Sequence, residues 1–409
     1  MKIIGIDISL NRVDVVVMDG LPKIALRDFY KSDDFKAVHS VWKSEEVEKL
    51  LNFLAPDETS NCVAVLESTG TYSYFWKQQF KKRGITVLVA DQGMVKSTRR
   101  SLGGTDNKDD AFDALVMVAL YVQHYLEIYD RRFWVSERPS EIEQIKRCLL
   151  DLKTTVKKQT AFINTVKSRL AFEYPARAKI QSKRRGLLEP DSPPGFWAWL
   201  AGRGDMISAN PRSRFENHYT KEVKAGRANV SELTHQFAAQ ICDLHSSKAV
   251  IQNQLIELLK LEDFVKYHEV FERFGFGPIE RGWILSRIFP FDSFLCLPKK
   301  AALRRFRQAC GLGKVEKSSG LIAAGKGGGK WTGCSNTRSV LWTYCYTRIE
   351  PDKNKSYLPL QQELKEFFLW RARNANGAKK RGRQLADARN ATCRKLADLV
   401  FRELHQALK

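Results

Sequence analysis

Residues Thr105–Leu115, Thr-Asp-Asn-Lys-Asp-Asp-Ala-Phe-Asp-Ala-Leu, set four carboxylates at the head of an apolar run that continues through Val116, Val118, Leu120 and Val122. Spacings of three and four place Asp106, Asp109, Asp110 and Asp113 on one face of a helix starting near Thr105 or Asp106. Like charges so arranged repel by a few tenths of a kcal/mol per pair in water, and by more once the apolar residues between them enter a core. A divalent cation would remove that cost. A second reading stands beside it, because aspartates in the first turn of a helix cap free amides and complement its dipole. Capping accounts for Asp106 and Asp109. Asp110 and Asp113 lie a turn deeper, beside Ala111, Ala114 and Leu115, where it does not. Metal site or solvated acidic face is a choice that the rest of the chain must make.

A chain of 409 residues with 43% hydrophobic content has room for two or three domains with real cores. Its 68 lysines and arginines against 46 acids leave a net charge of +22, which points to a polyanionic partner, with nucleic acid first. No apolar run approaches the ~20 residues of a membrane span, and the start lacks a signal peptide's basic region and cleavage site. A membrane partner is therefore not expected. The cysteines are scattered without zinc-ligand spacing and read as small core residues of a reducing cytosol.

The first domain, Met1 to about Arg132, opens on a strand over Lys2–Ser9, with Ile4, Ile6 and Ile8 on one face and Ile3, Gly5 and Asp7 on the other. Val13–Met18 reads as a second strand and Ile24–Tyr30 as a third, together a meander. Helical spacing follows over Glu45–Leu54. Cys62–Leu66 is a buried strand ending in Glu67, and an amphipathic helix through Phe75, Trp76 and Phe80 leads to a last strand over Ile85–Ala90. Acids at the ends of two strands and on a later helix fit a ribonuclease-H type of fold, in which four carboxylates hold two cations roughly 4 Å apart. Gly-Ile-Asp-Ile-Ser is also similar to the first phosphate motif of sugar kinases and actin-like ATPases. Those loops continue with glycines and hydroxyls, where this chain has Leu10-Asn11-Arg12.

The middle, Phe133–Phe274, carries two helical seams. One runs through Ile142, Ile145, Leu149, Leu152, Val156, Ile163, Val166 and Leu170, interrupted by Gln159; the other runs through Phe237, Ile241, Leu244, Ile251, Leu255 and Leu258. Such seams form a coiled coil, either as an antiparallel hairpin or between subunits. Between them, Tyr174–Val230 interleaves basic and aromatic residues, among them Arg177, Arg184, Trp197, Trp199 and Arg203. That pattern suits nucleic acid as a segment, although each aromatic taken singly reads as core. The third domain, Gly275–Lys409, begins with Gly-Phe-Gly-Pro turning into a helix. It then carries a basic helix through Lys299–Arg307 and a flexible basic stretch containing Ser318-Ser319-Gly320 and Gly325–Lys330. A serine among cations has the surroundings to attack a phosphodiester, while Ser-Gly in a glycine-rich loop is also an ordinary turn.

Three N-terminal segments, Gly5-Ile6-Asp7-Ile8-Ser9, Glu67-Ser68-Thr69-Gly70-Thr71-Tyr72 and Lys108-Asp109-Asp110-Ala111-Phe112-Asp113-Ala114, resemble the motifs of the DEDD-type insertion-sequence transposases. This is the IS110 group, which includes the Piv-like DNA invertases. Gly311-Leu312, followed after seven residues by Ser319-Gly320, resembles the family's C-terminal motif. The resemblance covers roughly the first 130 residues and Gly275 to about Tyr346. It implies a RuvC-like domain with Mg²⁺ (or Mn²⁺) held by Asp7, Glu67, Asp110 and Asp113, a nucleophile at Ser319, and a mainly α C-terminal transposase domain. It further implies DNA as substrate, a structured guide RNA and a homo-oligomer in the prokaryotic cytosol, associated with the nucleoid. Leu10 stands where the family often has lysine. The rival expectations are a junction-resolving nuclease that uses water and a non-catalytic nucleic-acid-binding protein.

Overall fold

The computed structural model of the chain describes residues 1–55, 61–67, 72–103, 109–135, 138–182, 188–315, 330–352, 356–373, 377 and 381–409. The chain divides into two compact units, Met1–Glu137 and Arg138–Lys409.

The first unit is built on one mixed sheet. β1 (Lys2–Ile8) pairs antiparallel with β2 (Arg12–Met18). Two short helices, α1 (Leu26–Tyr30) and α2 (Asp33–Val38), precede β3 (His39–Lys43), which pairs antiparallel with β2. After α3 (Val47–Leu54), β4 (Cys62–Glu67) lies parallel to β1; after α4 (Tyr72–Lys82), β5 (Thr86–Ala90) lies parallel to β4. The order β3-β2-β1-β4-β5 is compatible with a ribonuclease-H-like arrangement. α5 (Gln92–Ser101) and α6 (Asp110–Tyr121) complete the layer on one face.

The third strand is not where the periodicity places it. Ile24–Tyr30 alternates weakly, but Leu26 and Phe29, three apart, turn into the same core as α6, so the segment is helical at α1 and the strand comes later at His39–Lys43. α5 is an element that the apolar pattern does not announce, since only Val95 and Thr98 of its ten residues are buried.

Alternation along the strands gives each face its own core. Ile4, Ile6, Ile8, Val13, Val15, Ala64 and Leu66 pack with Leu50, Trp76 and Phe80 beneath α3 and α4. Ile3, Val16, Val63 and Val65 pack with Ala114, Leu115 and Val118 of α6. Gly5 is required where α6 crosses β1: a Cβ at this position would lie 2.0 Å from the Ala114 carbonyl oxygen.

The second unit is mostly helical. α7 (Ser140–Glu173) is followed by α8 (Gly195–Leu200), α9 (Ala209–Lys224) and α10 (Glu232–Leu259). α7 and α10 run antiparallel within the chain: the Glu173 carboxylate accepts from Ser231 Oγ at 3.0 Å, and Gln159 Nε2 donates to the Ile241 carbonyl at 3.1 Å. Gln159, the polar break in the first seam, is thus buried and satisfied. The second seam is turned relative to the expected one, with Thr234, Ala238, Ile241, Cys242, His245, Ala249, Leu255 and Leu259 inward and Phe237, Leu244 and Ile251 only half-buried. Small residues at 238 and 249 let the helices approach closely. Phe196 and Trp197 of the basic aromatic segment are core residues against Val166, Leu170 and Tyr174.

Beyond them come α11 (Val265–Glu272), α12 (Pro278–Ile288), α13 (Asp292–Leu295) and α14 (Lys299–Ala309). β6 (Gly313–Val315) pairs antiparallel with β7 (Lys330–Thr332), and α15 (Ser335–Tyr344), α16 (Pro359–Ala372) and α17 (Gly382–Ala407) follow. Phe291, Phe306 and Phe401 form part of their common core. Among the described residues no helix is long and apolar enough to cross a membrane.

Candidate active site

Strand pairing alone assembles most of the acids. Ile6 of β1 lies opposite Leu66 of β4 in parallel register, so the next residues, Asp7 and Glu67, end adjoining strands side by side. Asp7 is also the cross-strand partner of Asp14 on β2. Because side chains alternate, Asp7 shares the face of Ile3 and Gly5, Glu67 that of Val63 and Val65, and Asp14 that of Val16. All three point to the side covered by α6. Their exposures of 1%, 9% and 5% show them withdrawn from solvent, where an ionised carboxylate costs several kcal/mol unless charge or hydrogen bonds compensate it.

α6 brings the remaining two. It begins at Asp110, later than the acid spacing implies, because Asp109 keeps an extended backbone and caps the helix, its Oδ1 accepting from the Phe112 amide at 3.2 Å. Asp109 is thereby spent on structure, and its Oδ2 accepts from Tyr30 Oη at 2.6 Å. Burial, and after it this bond, push the Tyr30 hydroxyl up to about 12. Asp106 lies outside the described residues. Asp110 sits one turn before Ala114, the residue that rests on Gly5, and therefore near the end of β1: Ser9 Oγ donates to Asp110 Oδ2 at 3.2 Å.

Two guanidinium groups attend these acids. Arg12 lies 3.5 Å from Asp110 and 3.9 Å from Asp14, bridging β2 and α6. Arg99 of α5 grips both oxygens of Asp113, at 3.1 and 2.8 Å, and the pair is nearly buried. His39 Nε2 lies 3.0 Å from Asp14 Oδ1. Asp14, Arg12, Arg99 and His39 were not singled out as site residues from the sequence. The alternation Val13-Asp14-Val15 does signal an acid on the α6 face, whereas nothing in the sequence pairs Arg99 with an aspartate fourteen positions on.

The donor set fits a hard divalent cation: four carboxylates, no thiolate, and oxygen ligands from strand ends and a helix. The conformation described here is not a closed coordination sphere. Among the described residues no three His, Cys, Asp or Glu side chains are gathered at metal-holding distance. Asp113 is engaged by Arg99 and Asp110 by Ser9 and Arg12, so positive charge already reaches two of the four expected ligands from the protein itself.

Ser319 lies outside the described residues, as do Ser318 and Gly320. β6 and β7, which flank that segment in sequence, pair antiparallel. Gly311, at φ +77°, makes a turn where a Cβ would lie 2.1 Å from the Cys334 carbonyl oxygen. Arg338 donates to the Gly311 carbonyl at 2.9 Å, and Leu341 is core. The Gly-Leu motif and Arg338 are therefore joined through one hydrogen-bonded turn. Asn336 accepts from Lys153 Nζ at 2.6 Å.

Residues 4–175 match the family model of the DEDD transposases of the IS110 type, described as a transposase. No match was found among curated proteins.

Proposed function

We propose, from the premise that this chain belongs over residues 4–175 to the DEDD transposases of the IS110 type, that it cuts and rejoins DNA at a site formed by Asp7, Glu67, Asp110 and Asp113. In this reading the first unit is a RuvC-like, ribonuclease-H-like domain, and α7 with α10 form the coiled-coil element of the family. The observation that carries the proposal is the convergence of Asp7 and Glu67 on the sheet face that α6 covers, with Asp110 brought to Ser9 two residues beyond Asp7.

Bound to these oxygens, Mg²⁺ or Mn²⁺ would supply Lewis-acid stabilisation of charge on the scissile phosphate. The protein's own groups do the rest. Asp7 and Glu67 are fixed by strand register and cannot move independently of the sheet. Asp110 is oriented by Ser9 and Arg12, and Asp113 by Arg99, and these two carboxylates with Asp7 and Glu67 would hold the cation. Ser319 is the proposed nucleophile: its oxygen forms a bond to phosphorus as a strand oxygen leaves, giving a phosphoserine-DNA intermediate that a second strand resolves. A structured guide RNA and a homo-oligomer complete the reading, supported by the net charge of +22 and by the family.

Two variants test it. Asp110→Asn should abolish metal-dependent DNA cleavage; retained cleavage would reduce the acidic helix to a surface. Ser319→Ala should abolish protein-DNA adducts on denaturing gels while sparing nucleic-acid binding. Adducts that persist would move the nucleophile elsewhere, and cleavage without any adduct would assign the attack to water.

A further inference from the structure

α14 reads Lys-Lys-Ala-Ala-Leu-Arg-Arg-Phe-Arg-Gln-Ala, and its burial divides it sharply: Ala302 and Phe306 are core, while Lys299, Lys300, Arg304 and Gln308 are exposed. The cations on it are not equivalent. Arg307 is neutralised by a two-bond pair with Asp398 at 2.6 Å, and Arg305 is held over the Phe294 ring at 5.6 Å. Lys299, Lys300 and Arg304 make no ion pair among the described residues. Lys300, Arg304 and Gln308 recur every fourth residue, so they form one stripe along the helix.

That stripe borders a cleft of about 450 Å³, within the range of small-ligand sites. Arg304, Arg305, Gln308 and Thr332 supply its polar groups and Leu297 and Ala301 its apolar wall, and among the described residues no acid lines it. Its far edge is the base of the β6–β7 hairpin, where Gly313 lies so close to Thr332 that a Cβ would meet the threonine oxygen at 2.5 Å.

We propose that this cleft and the Lys300–Arg304–Gln308 stripe bind the phosphodiester backbone of a nucleic-acid strand, with a phosphate against Arg304 and a sugar or base edge on Leu297 and Ala301. Guanidinium, amide and hydroxyl donors together select an anion rich in acceptors. The apolar wall beside them selects one with an attached ring or sugar over a bare anion. The row of cations continuing out of the cleft to Lys300 selects a polymer over a mononucleotide, because a single phosphate would leave that row unused. The residues named for the site include neither the acids proposed to hold metal nor Ser319, so the proposal stands independently of that chemistry.

The experiment uses the full chain and titrates labelled single-stranded DNA, duplex DNA and single-stranded RNA over a range of salt. The double variant Lys300→Glu/Arg304→Glu changes only exposed side chains, and Lys300→Gln/Arg304→Gln removes the charge without reversing it. The proposal expects affinity for at least one of the three nucleic acids to fall about tenfold or more, and the salt slope to drop by roughly two as two phosphate contacts are lost. Loss confined to RNA or to DNA identifies which strand occupies the cleft, and loss of all three marks a shared backbone contact. The titrations are run without divalent metal and read binding alone, which separates failure here from failure of the cleavage reading. Unchanged affinity and slope for all three nucleic acids in both double variants, with unchanged thermal melting, would overturn the proposal.

Discussion

The two faces of the five-stranded sheet are made of alternate residues of the same strands, yet they are built for opposite purposes. Beneath α3 and α4, Ile4, Ile6, Ile8, Val13, Val15 and Leu66 form a wholly aliphatic surface. Beneath α6, the three central strands carry acids in one row, Asp7, Asp14 and Glu67, flanked by Val41 and Ala90 on the outer strands. A sheet selected for stability alone would have been apolar on both sides, since buried carboxylates cost free energy that isoleucine does not. In the proposed reading the difference marks where this domain gives up stability for chemistry, and it makes the two faces separable by substitution.

The largest separation is expected between Asp7→Asn and Ile6→Ala. The first should lower DNA cleavage by about a thousandfold or more and leave the melting temperature unchanged or raised. The second should cost about 2–5 kcal/mol of stability by denaturant titration while cleavage per folded molecule is retained. If Asp7→Asn unfolds the domain, the acid is structural and the contrast collapses.

Arg99→Ala sharpens the comparison from the other side. Removing one partner of a nearly buried pair should cost about 3–5 kcal/mol. If Asp113 is a metal ligand, Mg²⁺ should restore much of that loss, so the variant's melting temperature should respond to Mg²⁺ more steeply than the parent's. An equal response in both would place Asp113 outside the metal site.

Tyr30→Phe is the smallest expected effect. Loss of the hydroxyl from Asp109 should cost about 1 kcal/mol and leave the helix cap in place. The Tyr30 pKa is raised on folding, so this contribution is complete below pH 10 and is lost as pH climbs toward about 12. Comparing alkaline unfolding of parent and variant checks it: their stabilities should converge over that interval.

Much of this arrangement could be read before any coordinates. Strands with period two ending in Asp7 and Glu67 place themselves, because a one-residue slip would turn these acids into the aliphatic core beneath α3 and α4. The acidic helix is legible from its spacing, although its start is not: whether Asp106 or Asp109 takes the cap depends on the backbone at 109, which no spacing encodes. Short elements mislead for a related reason. Five residues such as Leu26–Tyr30 carry too few apolar positions to separate period two from period 3.6, and contact with α6 decides. The turned seam of α10 has its cause in its partners: Ala238 lies in the core shared with α7 and α8, and Gly282 of α12, whose Cβ would stand 3.3 Å from both Leu149 and Leu255, marks how closely α12 approaches α7 and α10. Arg99 escaped notice because its role exists only in three dimensions.

The central claim is that Asp7, Glu67, Asp110 and Asp113 together hold divalent cations. Titrating the full-length protein with Mn²⁺ and following the loss of the free-ion paramagnetic resonance signal measures this without reference to catalysis. The account predicts saturable binding in the parent and its loss in both Asp7→Asn and Asp110→Asn. Binding that persists unchanged in both variants would contradict it.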